Sequence, residues 1–125
     1  INDRVGHQGG DEVLREVAAR IKVELRLSDA LGRFGGEEFV VLLIDAELGD
    51  ALNAAERIRL RIAEQPMRLS SGENFDVTVS IGVAALVHSQ HPEPIETTAQ
   101  RFVERADRAL YQAKASGRNQ VVGDR

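Results

Sequence analysis

The chain has 125 residues, with 16 Lys+Arg against 20 Asp+Glu and a net charge of −4. That length suits one domain, residues 1–125, and 42% hydrophobic with 29% charged residues supports a core under a polar surface, which excludes a disordered chain. The acidic balance argues against a general nucleic-acid binder, and the lack of cysteine excludes a disulfide framework, a thiolate metal site and a cysteine nucleophile. An anionic small ligand stays compatible, because a local pocket of Arg and Lys overrides net charge. Apolar runs such as Phe39–Ile44 are too short to span a bilayer and no signal peptide opens the chain, so it reads as a soluble, cytoplasmic domain without membrane contact.

In chain order, Val13, Leu14, Val17, Ala18, Ile21 and Leu25 recur at helical spacing. They predict a first helix from about Asp11 to Leu27, with Asp11 after Gly9–Gly10 as its N-cap. Arg33–Phe34, the turn Gly35–Gly36–Glu37–Glu38 and the apolar run Phe39–Ile44 predict a β-hairpin, since glycine accepts positive φ at little cost. A second helix is expected from about Asp50 to Gln65, with Leu52, Ala55, Ile58 and Ile62 on one face and Pro66 as its stop. A minor hairpin is expected at Met67–Phe75. Val77, Val79, Ile81 and Val83 then alternate with Thr78, Ser80, Gly82 and Ala84, the pattern of a strand with one core face.

The third helix is expected from about Thr97 to Ser116, with Phe102, Val103, Ala106, Ala109, Leu110 and Ala113 inward and Gly117 at its C-cap. Tyr111 is placed in the core with Phe102 and Leu110. Gln120–Val122 forms a short last strand. The order αββαβαβ describes a mixed α/β domain with helices against a sheet. Such a sheet ordinarily has a strand before the first helix, so the chain is read as an N-terminally truncated domain.

Arg33-Phe34-Gly35-Gly36-Glu37-Glu38-Phe39 carries the most chemistry. Two glycines let backbone approach a ligand closely, and two acids at a hairpin tip offer oxygen donors to a hard cation. The same residues also suit a tight turn with solvated acids. Three other segments accompany it: Asn2-Asp3-Arg4-Val5-Gly6-His7-Gln8-Gly9-Gly10-Asp11, Val79-Ser80-Ile81-Gly82-Val83, and the helix end with Ala106-Asp107, Tyr111-Gln112-Ala113-Lys114 and Gly117-Arg118-Asn119. Together they resemble the GGDEF domain of bacterial diguanylate cyclases, in its GGEEF variant, over essentially the whole chain.

The resemblance implies a palm-like α/β (α+β) nucleotidyl-cyclase fold, a mixed central sheet flanked by helices, here without its first strand. It implies a domain that condenses two GTP into cyclic di-GMP and pyrophosphate as a head-to-head homodimer, with Mg²⁺ or Mn²⁺ as cofactor and a regulatory domain upstream. On its motifs, Glu37 is the metal-binding acid and proton acceptor, Glu38 the second acid, and Gly35 and Gly36 lie over phosphates and ribose. Asn2 and Asp11 read the guanine edge, and Lys114 and Arg118 hold the terminal phosphates. Plainer readings stand beside these. Asp11 also suits a helix cap, Asn2 a frayed terminus, and Lys114 and Arg118 the helix C-terminal dipole.

The family's first metal-binding aspartate and a lysine precede the position of Asn2 and are not among the 125 residues, so this chain by itself is expected to be inactive. His7 is read as a structural hydrogen-bonder, and His88 and His91 receive no role. Arg26-Leu27-Ser28-Asp29, at its spacing from Gly35, resembles the family's inhibitory R-x-x-D site for cyclic di-GMP, with Arg57 matching a further arginine from a neighbouring domain. The same pair also suits an ion pair closing the first helix. The alternative to the enzyme is a non-catalytic GGDEF module that binds cyclic di-GMP or GTP as a sensor.

Overall fold

The computed structural model describes residues 6–86 and 93–124, with side chains from Gly9 onward; His88 and His91 lie outside the described residues. In order come α1 (Gly6–Val23), β1 (Ala30–Gly35), β2 (Glu38–Leu42), α2 (Leu48–Glu64), β3 (Met67–Arg68), β4 (Asn74–Phe75), β5 (Ile81–Val83), α3 (Ile95–Ala115) and β6 (Val121–Gly123). The chain divides into two compact units, Ile1–Asp45 with Leu60–Thr78, and Ala46–Arg59 with Val79–Arg125. None of the described helices is long and apolar enough to cross a membrane.

In the first unit, α1 buries Val13, Val17 and Ile21, one side chain per turn, and Ile62, Met67 and Leu69 are buried as well. Contrary to the expectation from sequence, α1 begins at Gly6 and runs through Gly9–Gly10, so Asp11 lies inside the helix and is not its N-cap. Each helical glycine costs about 1 kcal/mol relative to alanine. That penalty weakens a helix without ending it, since glycine keeps its backbone N–H and fits helical dihedrals. The end of α1 also falls earlier than expected. The amides of Glu24 and Leu25 bond back three residues, to Ile21 O (3.0 Å) and Lys22 O (3.1 Å), and this tightening closes the helix.

Arg20 ties α1 to the end of α2 within this unit. Its Nη1 donates to the carbonyls of Ile62 (3.0 Å) and Gln65 (2.7 Å), and Nη2 to that of Pro66 (3.3 Å). Glu16, one turn earlier on α1, accepts from Arg20 Nε at 3.0 Å. A second tie is Glu12, whose carboxylate accepts from the Ser70 amide (2.9 Å) and hydroxyl. Those bonds, the hydroxyl foremost, hold the Glu12 carboxyl below its usual range.

β1 and β2 form an antiparallel hairpin in which Ala30 faces Leu42, Arg33 faces Phe39 and Gly35 faces Glu38, with a bulge between Arg33 and Gly35. β3 and β4 form the expected minor hairpin, pairing Met67 with Phe75 and Arg68 with Asn74.

In the second unit, β5 and β6 pair in parallel, Ile81 with Val121 and Val83 with Gly123. Among the described residues the ladders are thus three two-stranded sheets, where the sequence suggested one mixed sheet. The alternating run from Val77 contributes only Ile81–Val83 to a ladder. Alternation fixes which face a side chain takes, but it does not supply a hydrogen-bonding partner.

α3 lies on β5 at the closest approach in this unit. A Cβ on Gly82 would sit 2.2 Å from Leu110 N and 2.3 Å from Ala106 O. Small residues permit this on the helix side too, with Ala109 and Ala113 buried. Tyr111 departs from expectation: it is 74% exposed. It follows Phe102 by nine residues, two and a half turns, and so points to the opposite side of α3. The helix closes with Arg118 N–H bonded to Ala113 O (2.9 Å) across Gly117, whose φ of +117° suits its position just past the Ser116 cap.

The Gly82 contact is with backbone, which cannot rotate away. Gly82→Ala is expected to lower unfolding stability by about 3 kcal/mol in urea titration. Gly49→Ala in α2, where an added Cβ meets nothing within 4 Å, is expected to raise it by about 0.5–1 kcal/mol.

Candidate active site

The hairpin tip is built on backbone conformation. Gly35 has φ +146° and Gly36 φ +53°, and a Cβ on either would meet nothing within 4 Å. Glycine is needed here for its dihedral freedom, and the space above the tip is left open to a ligand. Arg33 fixes the tip from below: its Nε donates to Gly36 O at 2.8 Å, and its Nη2 donates to the same oxygen. From sequence alone Arg33 has no assigned role. Its signal was its place on the strand just before the glycine pair, from which a guanidinium spans the turn.

Glu37 at the apex and Glu38 at the start of β2 are both exposed. Asp11 lies with Leu14, Arg15 and Ala18 of α1 and Arg33 and Phe39 of the hairpin around a shallow cleft of about 320 Å³. The first unit therefore brings Asp11 together with the strands that carry Gly35, Gly36, Glu37 and Glu38. Asn2 lies outside the described residues. Lys114, in the last turn of α3, and Arg118, in the turn after it, are exposed and belong to the second unit.

Among the described residues no three acids or histidines gather as a metal cluster. The hairpin acids nevertheless suit Mg²⁺, which is commonly held by one or two carboxylates and completed by water and phosphate oxygens.

Arg26 and Asp29 are joined in the turn after α1, beyond the helix end where sequence had put them. Asp29 Oδ1 accepts from Arg26 Nη2 (3.1 Å) and from Ile44 N–H (3.3 Å), and Oδ2 accepts from Arg26 N–H (2.8 Å). Arg26 Nη2 also donates to Ile44 O, so the pair clamps the open end of the hairpin. The Asp29 side chain is 2% exposed and that of Arg26 57% exposed. The Arg26 guanidinium, followed by the Arg26 amide, holds the Asp29 carboxyl below the usual 3.8, against the opposing effect of burial. Arg57 is exposed on α2 in the second unit.

The chain superimposes at a TM-score of 0.80 on the active GGEEF domain of a diguanylate cyclase from Vibrio cholerae, at 35% identity, covering 100% of this chain and 74% of that one. The GGDEF domain of DgcB from Caulobacter crescentus, solved in complex with c-di-GMP, gives a TM-score of 0.80 at 33% identity, covering 95% and 67%. These place the fold among the α+β, palm-like nucleotidyl cyclases. Residues 1–120 match the family described as "Diguanylate cyclase, GGDEF domain". The chain belongs to that family. It is 48% identical over 124 residues to the response regulator PleD of Caulobacter vibrioides, covering 98% of this chain and 26% of PleD.

Because the Asp29 carboxyl is depressed in the folded state, its contribution to stability is complete above its unfolded value, near 3.8, and is lost as pH falls through the lower folded value. Carboxyl NMR titration is expected to place the Asp29 midpoint below 3.8 and to return it toward that value in Arg26→Ala.

Proposed function

We propose that this domain condenses two GTP molecules into cyclic di-GMP, working as a head-to-head pair of domains that each hold one nucleotide. The observation that carries the reading is the glycine-turned tip, which keeps both acids and leaves open space above Gly35 and Gly36. Asp11 accepts from the guanine N1–H and 2-amino group, and Asn2 donates to a ring acceptor. Gly35 and Gly36 lie against phosphates and ribose, and Lys114 and Arg118 hold the terminal phosphates.

In each half-reaction a ribose 3′-oxygen bonds to the α-phosphorus held by the opposite domain. The bond from that phosphorus to the pyrophosphate oxygen breaks, and the 3′-hydroxyl proton passes to the Glu37 carboxylate. Glu37, with Glu38 beside it, would hold a divalent cation, Mg²⁺ or Mn²⁺, which when bound neutralises phosphate charge. Arg33 keeps the tip in shape while the nucleotide is bound, since it fastens the Gly36 carbonyl.

The same reading gives the hairpin's open end a regulatory ligand. Cyclic di-GMP binds at Arg26, whose exposed guanidinium faces phosphate or the guanine O6/N7 edge while Asp29 fixes its direction. Arg57 of a neighbouring domain completes the contact. Product bound there inhibits the enzyme.

The intact protein containing this chain, given GTP and Mg²⁺, is expected to form cyclic di-GMP, with Glu37→Ala lowering kcat about a thousandfold or more while circular dichroism is unchanged. Undiminished product from Glu37→Ala, followed by chromatography, would refute the catalytic assignment. In calorimetry, Arg26→Ala is expected to weaken cyclic di-GMP binding by roughly ten- to a hundredfold, the loss of a charge-assisted contact. Equal affinity in parent and Arg26→Ala would leave the R-x-x-D pair as a structural clamp alone.

A further inference from the structure

Three successive residues after α3 have positive φ: Gly117 at +117°, Arg118 at +63° and Asn119 at +46°. One glycine is enough to end a helix, and asparagine tolerates the left-handed region. An arginine there is uncommon, and two side-chain-bearing residues in a row more so. Such a backbone persists only where its surroundings over-determine it.

Those surroundings are specific. Arg118 N–H bonds to Ala113 O at 2.9 Å, and Arg118 O accepts from Gln120 Nε2 at 3.2 Å. Asn119 Oδ1 accepts from Arg59 Nη1 at 2.9 Å, a bond between residues sixty positions apart in sequence. Arg59 is held in turn by Glu56 on its own helix and is 17% exposed. Arg118 itself is exposed, and its guanidinium makes no hydrogen bond or ion pair among the described residues.

We propose that Arg59 is a positioning residue for the nucleotide's terminal phosphates: through Asn119 it holds the left-handed turn that presents the Arg118 guanidinium. Arg59 touches no substrate; its effect passes through the Asn119 side chain to the φ of the turn. This rests on the reading of Arg118 as a phosphate-binding arginine.

The test is calorimetric titration of the intact protein with GTP and, separately, with GMP, which lacks the terminal phosphates. Arg118→Ala sets the scale, with GTP affinity expected to fall about tenfold and GMP affinity unchanged. Asn119→Ala and Arg59→Leu are each expected to weaken GTP about three- to tenfold and to spare GMP. Asn119→Asp keeps an acceptor oxygen for the same guanidinium and is expected to bind GTP like the parent. The double variant Arg118→Ala/Asn119→Ala is expected to be no weaker than Arg118→Ala alone, because both changes remove one contact. The Asn119 variants carry the test if Arg59→Leu does not fold.

Parent-like GTP affinity in Asn119→Ala, or equal losses of GTP and GMP, would overturn the positioning role while leaving Arg118 in place. Unchanged GTP affinity in Arg118→Ala would remove the phosphate role of Arg118, and the positioning proposal with it.

Discussion

The first unit hangs on one guanidinium. The last carbonyls of a helix have no partner within it, and they form the negative end of its dipole. At the end of α2 the Arg20 side chain, 13% exposed, supplies both donors and positive charge to Ile62, Gln65 and Pro66. Bonds to a charged group contribute about 1.5–3 kcal/mol each, against a whole-domain margin of about 5–15 kcal/mol. With the Glu12–Ser70 bonds and the buried stripe of Val13, Val17 and Ile21, this cap holds α1 in its unit. Since α1 carries Asp11, Leu14, Arg15 and Ala18, the same contacts hold one wall of the cleft.

The hairpin tip solves a different problem. A tight turn that carries two adjacent acids needs backbone free to take unusual dihedrals, and acids so placed repel each other unless positive charge lies near. Here Gly35 and Gly36 take the dihedrals, Glu37 and Glu38 face outward, and Arg33 brings positive charge beneath the turn. The clamp of Arg26, Asp29 and Ile44 closes the other end of the same two strands. The strands are therefore fastened at both ends by arginines, with the ladder between them.

Much of this was legible in the sequence, for identifiable reasons. The Gly35–Gly36 turn was readable because few residues tolerate positive φ, and the helices because their apolar stripes repeat each turn. The start of α1 is not legible because Gly9–Gly10 reads as a break, whereas glycine weakens a helix by only about 1 kcal/mol per residue and does not by itself end one. Tyr111 was misread because it adjoins Leu110 in sequence, which on a helix turns it about 100° away. The helical pairs Glu16–Arg20 and Glu56–Arg59 have legible i,i+4 and i,i+3 spacing, but the other acceptors of Arg20 and Arg59 are not readable from sequence. Those acceptors are carbonyls at the end of α2 and an amide sixty residues away, which leave no local pattern.

Gly82 carries a constraint that reaches the gene. Its neighbours are the main-chain atoms of Ala106 and Leu110, so no side-chain substitution on α3 can make room for a larger residue there. Every missense change one nucleotide away from a glycine codon yields an amino acid with a Cβ. Each single mutational step at this position therefore brings a side chain against fixed main chain, at the cost expected for Gly82→Ala or more. A residue with no side chain is thus constrained by the main chain around it.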